Sequence, residues 1–275
     1  MSDPRPLAGR TILMSGGSRG IGLAIALRAA RDGANVAFVA KTDKPDPRLP
    51  GTIHTAAAEI EEAGGKALPI LGDIRSTDSV IEAVNRTVEQ FGGIDIVVNN
   101  ASAIALDGFG KVTPKRYDLM LDINARGTFL LTSAALPHLL ESPAPRVLTL
   151  SPPINLDRKW FGAHAPYTVS KYAMTMLTLG LAEQYRHHGL AANCLWPRTL
   201  IATAAVQNIV GGDDGMRAAR RPEIMSDAAH LVLTGSASGE CYLDDDVLRA
   251  HGVTDFAEYR YGTATEDQLQ TDLFL

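Results

Sequence analysis

The chain has 275 residues, of which 45% are hydrophobic and 21% charged, with a formal net charge of −5. This length suits one α/β domain with a sizeable core, and the acidic balance offers no polyanion-binding surface, so nucleic acid is not an expected partner. Nothing approaches the roughly 18 uninterrupted apolar residues of a membrane span and MSDPRPLAGR lacks a signal-peptide core, so a soluble protein without a membrane span is expected. Only Cys194 and Cys241 are present, far apart in sequence, which suggests neither a disulfide framework nor a metal site and makes the cytoplasm the expected compartment.

In chain order, short β-like runs alternate with longer helical patterns. That alternation predicts a Rossmann-type doubly wound parallel sheet flanked by helices, with residues 1–275 forming a single domain. Thr11 to Ser15 reads as the first strand, Ile21 to Arg31 as a helix and Asn35 to Ala40 as the second strand. A Pro-bearing loop from Lys41 to Gly51 precedes a helix over Thr52 to Ala63 and a third strand, Lys66 to Leu71. Ser76 to Phe91 is a helix with a serine cap, and GIDIVVNN is a strand apolar enough to be buried on both faces. Helical patterns around Pro114 to Asn124 and Thr128 to Leu140 lead to the strand Arg146 to Ser151, a long helix from Tyr167 to His187, and the strand LAANCLW. A glycine-bearing segment, Ile201 to Arg221, is expected to cover a site before a short helix near Ala228 and a last strand around CYLDD.

Between the first strand and first helix, Ser15 to Gly22 reads SGGSRGIG. Glycines there let the backbone turn sharply and approach a pyrophosphate at a helix N-terminus, although a plain tight connection uses the same residues. The glycines fall at 16, 20 and 22, a G-x-x-x-G-x-G spacing. Further on, YTVSK places Tyr167 and Lys171 four residues apart, on one face of a helix. A neighbouring ammonium favours phenolate, bringing proton exchange with a substrate oxygen within reach of the tyrosine.

These motifs, in this order over nearly the whole chain, resemble the short-chain dehydrogenase/reductase family, and the SPPINL, AKT and WPRT segments resemble its hydroxysteroid dehydrogenase-like subgroup. The resemblance implies a sheet of about seven strands and a nucleotide site made by Gly16, Ser18, Arg19, Gly20, Ile21 and Gly22. It adds Asp73 and Ile74 after the third strand, and Asn100, Ala101 and Ser102 of NNAS, where the family carries N-N-A-G. Tyr167 and Lys171 contact the cofactor too, as do Pro197, Ile201 and Thr203 after the WP strand, with the register open by one residue because Arg198 replaces a glycine. Lys41 at the end of the second strand and Arg19 favour the 2'-phosphate of NADP(H) over NAD(H), although a solvated loop lysine accounts equally well for Lys41 alone.

For catalysis the resemblance implies Tyr167 as general acid/base, Lys171 as its helper, and Asn124 as the residue that holds a water linking Lys171 to solvent. The substrate-orienting serine falls on Pro152, with Ser151 one position earlier; either the Pro152-Pro153 turn swings Ser151 into the site or Ser151 merely ends the strand. His164 reads as a surface loop histidine, and His187 and His188 as the finish of a helix. The expected substrate is an apolar carbonyl or alcohol, and the expected assembly a homodimer or homotetramer. The alternative is a non-catalytic NADP(H)-binding sensor or scaffold, separable by Tyr167→Phe.

Overall fold

The computed structural model describes residues 5–46 and 49–275, so the N-terminal residues 1–4 and part of the 41–51 loop lie outside the described residues. The strands are β1 (Thr11–Ser15), β2 (Asn35–Ala40), β3 (Lys66–Leu71), β4 (Ile96–Asn99), β5 (Arg146–Thr149), β6 (Ala191–Trp196) and β7 (Cys241–Leu243). All pair in parallel, in the order β3-β2-β1-β4-β5-β6-β7. The order reverses between β1 and β4, and loops leaving the carboxyl ends of those strands diverge there to leave a crevice.

The helices are α1 (Gly20–Ala30), α2 (Ile53–Glu62), α3 (Thr77–Phe91), α4 (Pro114–Met120), α5 (Gly127–Glu141), α6 (Arg158–Gln184), α7 (Gly212–Arg217), α8 (Glu223–Thr234) and α9 (Asp244–Ala250). Two-residue alternation in the strands feeds two cores. Ile12, Met14, Val36 and Phe38 face α1, α2 and α8, whereas Leu13, Ala37 and Val39 face α3 and α5. Sheets covered on both faces need apolar residues at nearly every position, which is why β1 and β4 are buried throughout.

Two local readings change. The predicted long helix is preceded by a further helical stretch from Arg158, and the two meet at a kink at His164 (φ −139°, ψ 32°) just before Pro166, so the stretch that carries Tyr167 begins close to where it is expected. His164 is half-buried, its Nδ1 lying 2.6 Å from the Leu106 carbonyl oxygen, rather than standing on a surface loop. The helix predicted to run to Asn124 gives way at Leu121 to a π-helical turn, Leu121–Arg126. Cys194 and Cys241, distant in sequence, are register partners on β6 and β7, both as free thiols. The covering segment carries another π-helical turn, Val206–Val210, and α7.

Candidate active site

β1 ends at Ser15, and Gly16 takes φ +77°, a left-handed turn that glycine adopts without strain. Asn100 braces this turn from behind: its Nδ2 donates to the carbonyl oxygens of Ser15 (3.0 Å) and Gly16 (2.8 Å), and its backbone N–H donates to Ser15 Oγ (3.1 Å). The space is filled by that amide. A Cβ at Gly22 would stand 2.5 Å from both Asn100 Nδ2 and the Gly16 carbonyl oxygen. The first Asn of the pair is structural: buried Asn99 Nδ2 donates to Thr132 Oγ1 at 2.9 Å.

A cleft of about 870 Å³ opens over this loop, and every predicted site residue except Gly22, Asn124 and Ser151 lines it. It extends from Lys41 and Asp73, past Gly16 and Gly20, to Tyr167, Lys171 and Trp196, with Ile201 and Thr203 of the covering segment on its wall. The crowded glycine cradle at the start of α1 and the length of the cleft fit an extended dinucleotide.

At the far end, charges are arranged around Asp73. Arg75 grips its carboxylate, with Nη2 to Oδ2 at 2.6 Å, and Lys41 Nζ donates to the same oxygen at 3.1 Å. Hydrogen bonds from Arg75, reinforced by Lys41, hold the Asp73 carboxyl well below its ordinary range despite partial burial. Arg19 donates to the carbonyl oxygens of Pro50 (2.9 Å) and Gly51 (3.1 Å), fastening the loop after β2 to the glycine turn.

At the near end, Tyr167 and Lys171 are both buried on α6. Lys171 Nζ donates to the Leu150 carbonyl oxygen (2.6 Å), approaches Met174 Sδ (3.3 Å) and lies 5.0 Å from the centre of the Trp196 ring. Burial pushes the Lys171 ammonium down to about 7, with Cys194 and Asp272 opposing. Burial also pushes the Tyr167 phenol up, aided by Asp272, against a hydrogen bond from the Ser102 hydroxyl. Burial therefore outweighs the expected depression of the tyrosine by its lysine, and Tyr167 is held as a neutral phenol before substrate is engaged.

Ser151 is fully buried, its Oγ meeting the Cys194 thiol and no other polar group among the described residues, and it does not line the cleft. Ser102, at the position of a family glycine, does line it. Asn124 is buried in the π-helical turn, where its Oδ1 accepts from Ala103 N–H (2.7 Å) and its Nδ2 donates to the Ala103 carbonyl oxygen (3.0 Å) and Ser170 Oγ (2.9 Å). It clamps the chain just beyond Ser102 onto the helix that carries Tyr167.

Sequence reasoning missed Arg75, Trp196, Asp272 and Leu273. Arg75 was within reach, as a cation two residues from Asp73; Trp196 sits in the WP segment already singled out. Asp272 and Leu273 carry no local signal, since they reach the cleft only through the return of residues 269–275 to the β6 end.

The short chain dehydrogenase family pattern matches residues 10–213. Hydroxysteroid dehydrogenase-like protein 2 of Danio rerio is 52% identical over 255 residues, covering 92% of this chain and 61% of the relative. Its Homo sapiens counterpart is 45% identical over 271 residues, covering 98% and 64%. The chain thus spans about three-fifths of the length of these curated relatives. A solved short-chain dehydrogenase of Mycobacterium thermoresistibile superposes with a TM-score of 0.91 at 55% identity, covering 97% of this chain and 95% of that one. With this glycine loop, this Tyr-Lys pair and these relatives, the chain belongs to the short-chain dehydrogenase/reductase family of oxidoreductases, in its hydroxysteroid dehydrogenase-like branch.

Proposed function

We propose that the protein is an NADP(H)-dependent oxidoreductase that interconverts a carbonyl and an alcohol on an apolar small molecule. The observation that carries this reading is the burial of Tyr167 and Lys171, one helical turn apart, in the same cleft that the glycine loop lines. A reduced nicotinamide held there would supply the hydride to the carbonyl carbon. Tyr167 donates its hydroxyl proton to the carbonyl oxygen as negative charge develops on it, and is left as phenolate. The Lys171 ammonium stabilises that phenolate, which regains a proton from solvent. Asn124 serves as a positioning residue through its clamp on Ala103 and Ser170.

Ser102 takes the part of the serine replaced by Pro152: its hydroxyl meets the Tyr167 hydroxyl in the cleft, where a substrate oxygen would stand, whereas Ser151 is turned into the core. Preference for NADP(H) over NAD(H) rests on Arg19 and Lys41 lining the cleft, with Arg75 joining Lys41 on Asp73, which leaves a surplus of positive charge suited to a 2'-phosphate. An apolar substrate follows from Ile104, Trp196 and Leu273 on the cleft wall. We further read the 275 residues as one domain that pairs as a homodimer or homotetramer in the cytoplasm, the assembly being checked by light scattering.

Fluorescence titration with NADPH and NADH, followed by NADPH consumption against aldehydes, ketones and acyl-chain carbonyl compounds, tests the reading. Tighter NADPH binding with turnover is expected. Tight binding without turnover, unaltered by Tyr167→Phe, would favour a non-catalytic NADP(H)-binding sensor.

A further inference from the structure

Residues 269–275 belong to no family motif in the sequence, yet they complete the substrate end of the cleft. The segment is laid antiparallel against the chain that leaves β6. Leu200 N–H donates to the Gln270 carbonyl oxygen (2.9 Å), Thr199 and Thr271 form an antiparallel bridge, and Asp272 N–H donates to the Arg198 carbonyl oxygen (3.0 Å). Trp196 Nε1 then donates to the Leu273 carbonyl oxygen (3.0 Å), and Asn155 Nδ2 to that of Phe274 (2.8 Å).

Phe274 is fully buried at φ +73°, a left-handed conformation that a phenylalanine keeps only where its surroundings impose it. Those surroundings are the rings of Trp160, Tyr167, Tyr172 and Trp196, with centroids 5.5, 6.0, 5.3 and 5.9 Å away. The Phe274 and Tyr167 rings are nearly parallel, at 28°.

This anchoring brings Asp272 to the cleft with Tyr167 and Lys171, its Oδ1 accepting from Leu273 N–H at 2.6 Å. The charged and titratable groups facing it are Lys171 and Tyr167 from α6, and Asp244 from the start of α9; Cys194 of β6 faces Lys171 as well. Lys171 itself donates only to a carbonyl oxygen and a thioether among the described residues. Burial, with Asp244 adding repulsion, pushes the Asp272 carboxyl up to about 7, against the Leu273 N–H and Lys171. A cation and a carboxyl thus share a dry site, each favouring the charged form of the other.

We propose that Asp272 is a positioning residue of the reaction, whose carboxylate keeps Lys171 in its ammonium form and so governs the proton that Tyr167 exchanges with substrate. The assignment rests on the reading of Tyr167 and Lys171 as the proton-transfer pair. Asp272 itself neither gains nor loses a proton over the cycle. It supplies the counter-charge that lets an ammonium persist in a buried site, and Lys171 in turn stabilises the phenolate left by proton donation.

The test uses the full chain and two readouts. First, the titration of Lys171 is followed by NMR of protein carrying 13C at lysine Cε, with Lys171→Met identifying the resonance. In Asp272→Asn, which is isosteric and removes a buried charge, the Lys171 midpoint is expected to fall by about one pH unit, and in Asp272→Glu to return toward that of the unsubstituted protein. An unchanged midpoint in Asp272→Asn would overturn the proposal whether or not any substrate has been identified. Second, reduction of decanal by NADPH should show a loss in kcat/KM of about tenfold at pH 8 that shrinks toward none at pH 5, because a shift of ~1 unit matters only where Lys171 is losing its proton. A loss of equal size at both pH values would mean that Asp272 is merely part of the wall, and would also overturn it. Full turnover by Tyr167→Phe would instead remove the proton-transfer reading, leaving the Lys171 midpoint to judge Asp272 by itself.

Discussion

The two ends of the cleft are held by different means. At the nucleotide end the backbone makes the site: a left-handed glycine, an asparagine amide filling the space behind it, and the first turn of α1. Its pieces are short-range or lie on adjacent strands, and its charges are paired at the surface, as with Lys41 and Asp73. At the substrate end side chains make the site, contributed by the β4 loop, α6, β6 and the 269–275 segment, and the charges are buried. Backbone sites tolerate little change in shape, because a single Cβ has nowhere to go. Side-chain sites tolerate shape changes better and charge changes worse, because low dielectric amplifies every unpaired proton.

The sharpest break between the two ends is Tyr167→Phe. Turnover should fall by about 10³-fold, within the range of a lost general acid, while NADPH affinity by fluorescence titration stays within about twofold. Gly22→Ala should do the reverse. Its methyl group would meet Asn100 Nδ2 and the Gly16 carbonyl oxygen, so NADPH affinity should drop at least ~10-fold and the protein should lose about 1–3 kcal/mol in urea unfolding. Within the substrate end, Ser102→Ala should lower kcat by about 10²-fold and Ser151→Ala leave it unchanged, a difference that steady-state kinetics of the two variants would read directly. Lys41→Ala is expected to weaken NADPH binding by about 10-fold with little effect on NADH, the loss of one charge-assisted hydrogen bond to a phosphate.

The smallest effect concerns Asp244, which is buried at the start of α9. Its Oδ1 accepts from Arg198 N–H (2.9 Å) and Asp245 N–H (2.8 Å), and its Oδ2 has no partner among the described residues. Burial pushes its carboxyl up to about 7, above the unfolded value, so the folded chain binds a proton that the unfolded chain releases between roughly pH 4 and 7. Stability from this group is therefore full at the acid end of that window and is lost as pH rises through it. Asp244→Asn should flatten that dependence and raise Tm by a few degrees at pH 8, measured by calorimetry, if the Arg198 and Asp245 hydrogen bonds survive.

Much of the nucleotide end was legible in the residues alone, because its signals are local: glycines at 16, 20 and 22 between a strand and a helix, and a lysine at the end of β2. The Tyr167 and Lys171 pair was legible for the same reason, as a four-residue spacing on a helix. The state of that pair was not. A lysine pushed down toward 7 and a tyrosine pushed up are consequences of burial among Trp196, Phe274 and Asp272, residues that no spacing rule connects to α6. The same applies to Asn124: the motif marked it as polar within an apolar helix, but its bonds to Ala103 and Ser170 depend on a π-helical turn that periodicity does not encode. The helical stretch from Arg158 to the kink at His164 is not marked by any periodicity ahead of Tyr167, so only the stretch beyond the kink is legible. Cys194 and Cys241 became neighbours only once β7 had been added beside β6.

The chain contains two tryptophans, Trp160 and Trp196, and both rings rest against Phe274. Tryptophan emission is therefore an intrinsic optical report on one event, the docking of residues 269–275. During refolding, far-ultraviolet dichroism would follow the sheet and its helices while fluorescence followed the closing of the substrate wall, so the order in which scaffold and site are completed can be read without attaching a label.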